Sequence, residues 1–148
     1  MDRLLKGMIR QGRVRVFIVN ARKAVDEITN RHQTTPVVGA AIARLVAATL
    51  MLASMQKSGK LTVKIAGDGP IGMLVSDATS DLEVRAFAEN RQVNLPLKPN
   101  NKLDVGQAVG RKGYLQVIKD MGLKHQFNSQ VSLQSGELGE DFSFYFQE

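Results

Sequence analysis

The 148-residue chain contains no cysteine and no tryptophan, and only 5% of its residues are aromatic. Without cysteine it can form no disulfide and no thiolate metal site, and it has no cysteine nucleophile. Because large rings are scarce, the core must be built mainly from Val, Ile, Leu, Ala and Met. The first twenty residues hold no uninterrupted apolar stretch, so we expect a cytoplasmic protein without a signal peptide.

Acidic residues are scarce in the first 64 positions, where three carboxylates accompany twelve Lys or Arg side chains. Residues 65–148 hold eight basic and eleven acidic side chains, so the net charge of +6 is concentrated in one half. A basic half can attract acidic proteins or nucleic acid. Phe17 is the only aromatic residue there, and nucleic-acid sites usually add stacking rings. The charge pattern favours a solvated surface that attracts protein partners.

Hydrophobic periodicity predicts a hairpin at the amino terminus, with strands at 3–10 and 13–19. In the second strand Val14, Val16 and Ile18 alternate with Arg13, Arg15 and Phe17, which is the period-2 pattern of a half-buried strand. Helices are predicted at 21–31, after Asn20 as cap, and from Pro36 to about Lys57, after Thr35 as cap.

The remaining strands are expected in a run rather than in alternation with helices. They are predicted at 60–66, 71–77, 83–89, 114–119 and 126–133, with residues 90–112 as a loop. A last helix is expected from Glu137, with Ser135 as its cap and Glu140 and Asp141 in its first turns. The pattern predicts a single domain over 1–148, of α+β class, with a mostly antiparallel sheet and a long buried helix.

The long helix carries Arg44 as its only charge between Pro36 and Gln56. Its length would just span a membrane, but a central Arg costs about 2.5–3.5 kcal/mol on insertion scales. A core helix covered on both sides is therefore expected. Met51 and Met55 lie four residues apart on it, and methionines either fill cores or contact varied partners.

Three groups of residues could suggest chemistry, and each has a structural explanation. Gly67, Gly69 and Gly72 match a dinucleotide-binding pattern, but a strand rather than a helix is predicted to follow, which favours a hairpin turn. His32 and His125 have no nucleophile elbow beside them. The carboxylates near the last helix are explained by capping and by the helix dipole.

Several segments, in order along the chain, match the pattern of one bacterial family: Arg31-His32, Gly67–Gly72, Lys102–Val105, Ala108–Gly110, Val117–Asp120, Gly122-Leu123 and Ser135–Phe142, the last followed by Phe144, Tyr145 and Phe146. Over nearly its whole length the chain resembles the thirty-three-kilodalton chaperonin family of redox-regulated heat-shock proteins. It is most similar to the amino-terminal part of that family's core domain.

The resemblance implies an ATP-independent holdase that binds unfolding proteins during oxidative and heat stress, with no catalytic residue. It also implies a linker and a zinc-binding redox domain with four cysteines, which this sequence does not contain. Zinc binding and redox control are therefore assigned to no residue here. The residues expected to contact clients lie on the long helix: Ile42, Leu45, Leu50, Met51 and Met55. The alternative is a nucleic-acid-binding module acting through four basic residues: Lys6, Arg10, Arg13 and Arg15.

The last segment holds four aromatic residues within Phe142–Phe146, just before Glu148. A helix of about twelve residues needs packing to persist in water. We expect the strands that would cover these rings to lie outside this chain. The sequence therefore predicts that the chain pairs with a second copy or with the remainder of its core.

Overall fold

A computed structural model describes residues 1–148. In chain order its elements are β1 (Arg3–Ile9), β2 (Val14–Asn20), α1 (Arg22–His32), α2 (Pro36–Ser54), β3 (Lys60–Gly67), β4 (Met73–Thr79), β5 (Val84–Ala88), α3 (Val105–Val109), β6 (Gly113–Asp120), β7 (Phe127–Ser132) and α4 (Gly139–Gln147). All predicted strands are present, and every strand pair is antiparallel. The predicted α+β class with an antiparallel sheet is confirmed.

Five strands form the main sheet in the order β5-β4-β3-β6-β7, and β1 and β2 form a separate two-stranded sheet. The alternation along β3 explains why it sits at the centre of the main sheet. Leu61, Val63 and Ile65 are buried on one face, and Thr62 and Lys64 point to the other. The buried face packs against α2 and, across β6 and β7, against α4.

Helix α2 is the centre of the core, and twelve of its nineteen residues are buried. It is long and apolar enough to cross a membrane, with a mean hydropathy of 1.9, but 67% of that window is buried within the fold. This confirms the expected core helix. The helix ends at Ser54, three residues before the predicted end. The Thr35 hydroxyl does not cap α2, because it donates to the Val93 carbonyl at 2.5 Å instead.

Helix α1 is capped from a distance in sequence rather than by Asn20 alone. Asn20 accepts a 3.2 Å hydrogen bond from the Arg22 N–H, but the cap position itself is Ala21. The Asp2 carboxylate accepts the N–H groups of Lys23 and Ala24 at 2.9 and 2.8 Å. Hydrogen bonds from these two amides hold the pKa of Asp2 below its ordinary value. Asp2 thereby joins the first strand to α1.

The predicted loop at 90–112 contains one short helix, α3, which the sequence did not predict. Asp104 caps it by accepting the Gln107 N–H at 3.1 Å. The carbonyls of Ala108 and Val109 then accept the N–H groups of Ile71 and Gly69. Tertiary contacts with the β3–β4 turn therefore define this helix, which explains why local periodicity does not show it.

Helix α4 begins at Gly139, so the predictions of a start at Glu137 and of Ser135 as cap are wrong. Asp141 is fully buried, and its carboxylate accepts three backbone N–H groups. One carboxylate oxygen accepts the N–H groups of Gln134 and Ser135 at 2.6 and 3.0 Å, and the other accepts the N–H group of Leu138 at 2.8 Å. Because one carboxylate satisfies these donors, the chain turns through Leu138 before the helix starts.

Candidate functional site

The β1–β2 hairpin exposes a largely apolar face. Its two strands pair over their full length, and side chains on successive residues point to opposite faces. One face, around Leu4 and Val19, packs against the core. The other face, which we call the hairpin apolar face, consists of Leu5, Gly7, Ile9, Val14, Val16 and Ile18. Its large side chains are mostly exposed, reaching 54% at Leu5 and 59% at Ile18.

The predicted half-buried strand β2 faces the core through Val19 and leaves most of its valine side exposed. Val14 and Ile18 belong to the outward face, whereas Phe17 on the opposite face is half-buried. The physical reason is that Phe17 and Val19 offer enough apolar surface to pack the hairpin against the body of the protein. Beyond Arg3 and Asn20 at its base, this exposed face carries no polar side chain, and such a contiguous apolar patch marks a candidate binding surface.

The hairpin has two free strand edges. It forms a sheet of only two strands, and no backbone hydrogen bond joins either outer edge to another element. The outer N–H and C=O groups of both strands therefore have no backbone partner in the chain. Residues 3–20 contain no Asp or Glu and five basic residues: Arg3, Lys6, Arg10, Arg13 and Arg15.

A groove of roughly 500 Å³ lies between the inner side of the hairpin and the end of α2. Its lining consists of Lys6, Gly7, Met8, Arg15, Phe17, Ser54 and Met55. The Lys6 ammonium donates a hydrogen bond to the Ser54 carbonyl, one of the last carbonyls of α2. Met8 and Met55 are largely exposed at the rim. Flexible methionines at the rim of an open groove suit partners of varied shape.

A second groove, of roughly 470 Å³, separates α2 from α4. Met51 and Phe146 line it, with Phe142 closer to the core. At one end the Glu137 carboxylate binds Arg44 at 2.8 Å and Lys98 at 2.5 Å. Partial burial raises the pKa of Glu137, but the hydrogen bonds from Lys98 and Arg44 outweigh it, so the pKa lies below its ordinary value.

The five residues predicted to contact clients fall into two groups. Ile42 and Leu45 are fully buried, and Leu50 is 6% exposed, so these three form the core and cannot touch a partner unless the fold opens. Met51 and Met55 each line one of the two surface grooves. Client contact stays a prediction for all five residues, and at the three buried ones it would require the fold to open.

The main sheet offers a weaker candidate surface on the face away from α2. Phe87 is 46% exposed there, beside the half-buried Val75. Polar groups interrupt this face, since Asp77 forms a 2.9 Å ion pair with Arg85 and accepts the Thr62 hydroxyl. The hairpin apolar face has no such interruption and is the stronger candidate.

The glycine-rich segment between β3 and β4 serves the fold. It makes a turn and β4 follows as a strand, so the nucleotide-site interpretation is wrong. A Cβ atom added at Gly67 or Gly69 would lie within 2.4 Å of the carbonyl oxygens of Val109 or Ala108. These glycines therefore allow the close approach of α3 rather than of a phosphate.

The two histidines lie on different parts of the fold. His32 lies in the last turn of α1, and His125 is exposed between β6 and β7. No group of three or more His, Cys, Asp or Glu side chains is placed to hold a metal ion. The side chains of this chain therefore do not fit a zinc site.

Sequence reasoning missed the hairpin apolar face. Its signal was present, because Leu5, Gly7 and Ile9 face outward together with the valine side of β2 and no polar residue interrupts them. A hairpin with apolar residues on both faces would need another surface packed against each face. In this chain only the face with Leu4 and Val19 packs against the core.

Comparisons with known proteins decide the family. A family model described as Hsp33 protein matches residues 2–148. The chain belongs to the Hsp33 family. Proteins named 33 kDa chaperonin from Bacillus velezensis and Bacillus subtilis are each 47% identical to it over 146 residues, covering 98% of this chain and 50% of the relative. The resemblance seen in the sequence is confirmed.

The fold of the Hsp33 family is also confirmed by a solved structure. The crystal structure of a 33 kDa chaperonin from Thermotoga maritima superposes with a TM-score of 0.92 at 36% identity. The match covers 97% of this chain and 49% of that one. This Hsp33 chain therefore spans about half the length of the relatives it matches.

Proposed function

We propose that this chain carries the holding surface of an ATP-independent chaperone that binds unfolding proteins. Membership of a family whose relatives are named chaperonins supports a chaperone. The observation that carries the finer proposal is the hairpin apolar face, with Leu5, Ile9 and Ile18 each more than half exposed. An unfolding protein presents apolar segments that the same kind of surface can bury.

Holding needs burial and no bond chemistry. Removing apolar surface from water contributes about 25 cal/mol per Å². Covering both the hairpin apolar face and a client segment of similar size would offset part of the cost of ordering an unfolded chain. The proposed activity accordingly assigns no catalytic residue and no nucleotide. The glycine pattern that suggested a nucleotide instead allows backbone contact with Val109.

Regulation by oxidation and by zinc is proposed only for a longer protein of this family. This chain has no cysteine, and its side chains do not form a zinc site. We assign it the part that captures clients during heat and oxidative stress, in the cytoplasm.

The proposal is tested by light scattering of a client that unfolds on heating, with the 148-residue chain added and no nucleotide present. Suppression of scattering at stoichiometric amounts is expected, with no change when ATP is added. Circular dichroism at the assay temperature shows whether the chain is folded. A folded chain that leaves scattering unchanged at a severalfold excess would contradict the proposal.

A nucleic-acid-binding module is the second candidate, because the hairpin concentrates five cations without a carboxylate. Its hairpin apolar face holds no aromatic ring on which a base could stack. Binding of a labelled oligonucleotide that weakens steeply with added salt would favour this candidate. Weak oligonucleotide binding that does not depend on salt would rule out the nucleic-acid-binding candidate.

We also propose that the chain associates with a second copy or with the rest of a longer family core. The exposed Phe146 ring beside the groove between α2 and α4 supports this. Sedimentation of the purified chain at tens of micromolar is the measurement. A compact monomer that binds little apolar dye would contradict this proposal and leave the holding proposal to its own assay.

A further inference from the structure

The cations of the hairpin are unpaired with carboxylates. None of its five basic side chains takes part in an ion pair, although five ion pairs form elsewhere in the chain. The nearest acidic residue in sequence, Asp2, is already bound to the backbone of α1. Lys6 is bound to the Ser54 carbonyl, and the four arginines of the hairpin have no charged partner in the chain, so the hairpin presents net positive charge.

Three of these cations flank the hairpin apolar face at its ends, whereas Lys6 and Arg15 lie on the opposite side of the hairpin. Arg10 and Arg13 lie at the tip, and Arg3 lies at the base on the same side as Leu5. An occupant that covers the apolar face would thus meet positive charge at both ends. Carboxylates at the ends of an apolar segment would complement this arrangement.

The free edges determine the form of the occupant. A chain that adds as a third strand would pair with the open N–H and C=O groups whatever its side chains are. Its side chains would alternate between solvent and the extended apolar face. Backbone hydrogen bonds allow the hairpin to bind client segments of many sequences. The cations at the two ends of the apolar face would favour segments with negative charge.

We infer that the β1–β2 hairpin binds extended client segments by strand addition and prefers apolar runs flanked by Asp or Glu. This inference rests on the proposed holding function and names its substrate class. A second copy of the hairpin is disfavoured as occupant, because it would bring its own Arg3, Arg10 and Arg13 against those of the first. Nucleic acid would match the charge but not the apolar face.

The test uses three labelled peptides with one shared apolar, β-prone core and flanks of Asp, Ser or Lys. Fluorescence anisotropy with the 148-residue chain at low salt should show the Asp peptide binding roughly tenfold tighter than the Lys peptide, since several exposed charge pairs each add a small amount. The ratio should fall to about twofold near 0.5 M salt. Equal affinities at low salt would overturn the inference.

Matched variants locate the binding. The double variant R10Q/R13Q should remove most of the preference for Asp flanks, and the control R111Q/K112Q, which deletes two exposed charges beyond the hairpin, should retain it. Ile18→Ser should lower the affinity for all three peptides severalfold. The control Leu97→Ser should leave the affinity unchanged, because Leu97 is 55% exposed but lies in the loop after β5. Equal effects in the hairpin and control variants would place binding elsewhere and overturn the inference.

Strand addition has its own readout. The Asp peptide methylated on two successive backbone nitrogens of its core loses a donor on each edge and should bind at least about fivefold more weakly. Unchanged affinity would overturn strand addition. A chain that binds none of the peptides but forms a dimer that Ile18→Ser abolishes would use the hairpin apolar face to bind a second copy. That result would also overturn the inference.

The inference and the holding function fail separately. Suppression of client scattering by a chain that shows no preference among the peptides would overturn the inference and leave holding intact. Charge-selective peptide binding by a chain that does not suppress scattering would support the hairpin site and contradict the holdase.

Discussion

Replacing Asp141 with Asn should loosen α4 from the core with almost no change in shape. The buried carboxylate accepts three N–H groups, two on one oxygen and one on the other. An amide keeps one of these oxygens and places an NH₂ group where the other stood. If the oxygen stays toward Gln134 and Ser135, the N–H of Leu138 faces another donor and has no partner.

The magnitude follows from these bonds. One buried donor left unsatisfied costs about 1–3 kcal/mol, and losing the charge weakens the two remaining bonds by about 1 kcal/mol together. The amide is less costly to bury than a carboxylate, which offsets part of this loss. We expect D141N to lower the free energy of unfolding by about 2–3 kcal/mol, which corresponds to a fall in Tm of about 5–10 °C.

Urea denaturation followed by circular dichroism measures the change at constant m-value. The control is E140Q, which removes an exposed carboxylate from the same helical turn and should cost less than about 1 kcal/mol. Should D141N and E140Q destabilise the chain equally, within about 0.5 kcal/mol, the three-donor role of Asp141 would be refuted.

Three further predictions concern the core, the ion pairs and redox behaviour. Leu45→Ala, at a fully buried site, should cost about 3 kcal/mol in urea denaturation, and a cost below about 1 kcal/mol would contradict its core position. Because the pKa of Glu137 is lowered in the folded state, its stabilisation is present above its unfolded pKa and lost as pH falls through the folded one. The stability difference between wild type and E137Q should thus be about 1 kcal/mol at pH 7 and shrink below about pH 4.5, whereas a constant difference would count against the ion pairs. Holding activity should be the same with reductant or oxidant apart from slow methionine oxidation, and a rapid change reversed by reductant would be inconsistent with a chain that lacks cysteine.

The strands and the long helix could be predicted because their signals are local. Leu61, Val63 and Ile65 alternate with polar residues, and this alternation indicates a strand with one buried face. The helix starts could not be predicted as well, because distant groups determine them. Asp2 supplies the acceptor for α1 from 21 residues away, and Asp141 delays α4 until Gly139.

The candidate site was predicted only in part, because exposure depends on what covers each face. The sequence indicated that the helix α2 is apolar, but not which of its residues meet the sheet. Met51 on α2 and Met55 just after its end line surface grooves, whereas Ile42 is fully buried, although all three side chains are apolar. The hairpin apolar face was missed for the same reason, since alternation in β2 does not say which side finds a cover.

The central claim is that clients bind on the hairpin apolar face, and crosslinking tests it most directly. Because the chain has no cysteine, Ile18→Cys introduces a single thiol that carries a photoreactive benzophenone, and Leu97→Cys gives a control of similar exposure. Each labelled chain is irradiated with a client during heating and the adducts are quantified on a gel. We predict that position 18 forms client adducts several times more often than position 97. Equal yields, or more adducts at position 97, would contradict the claim.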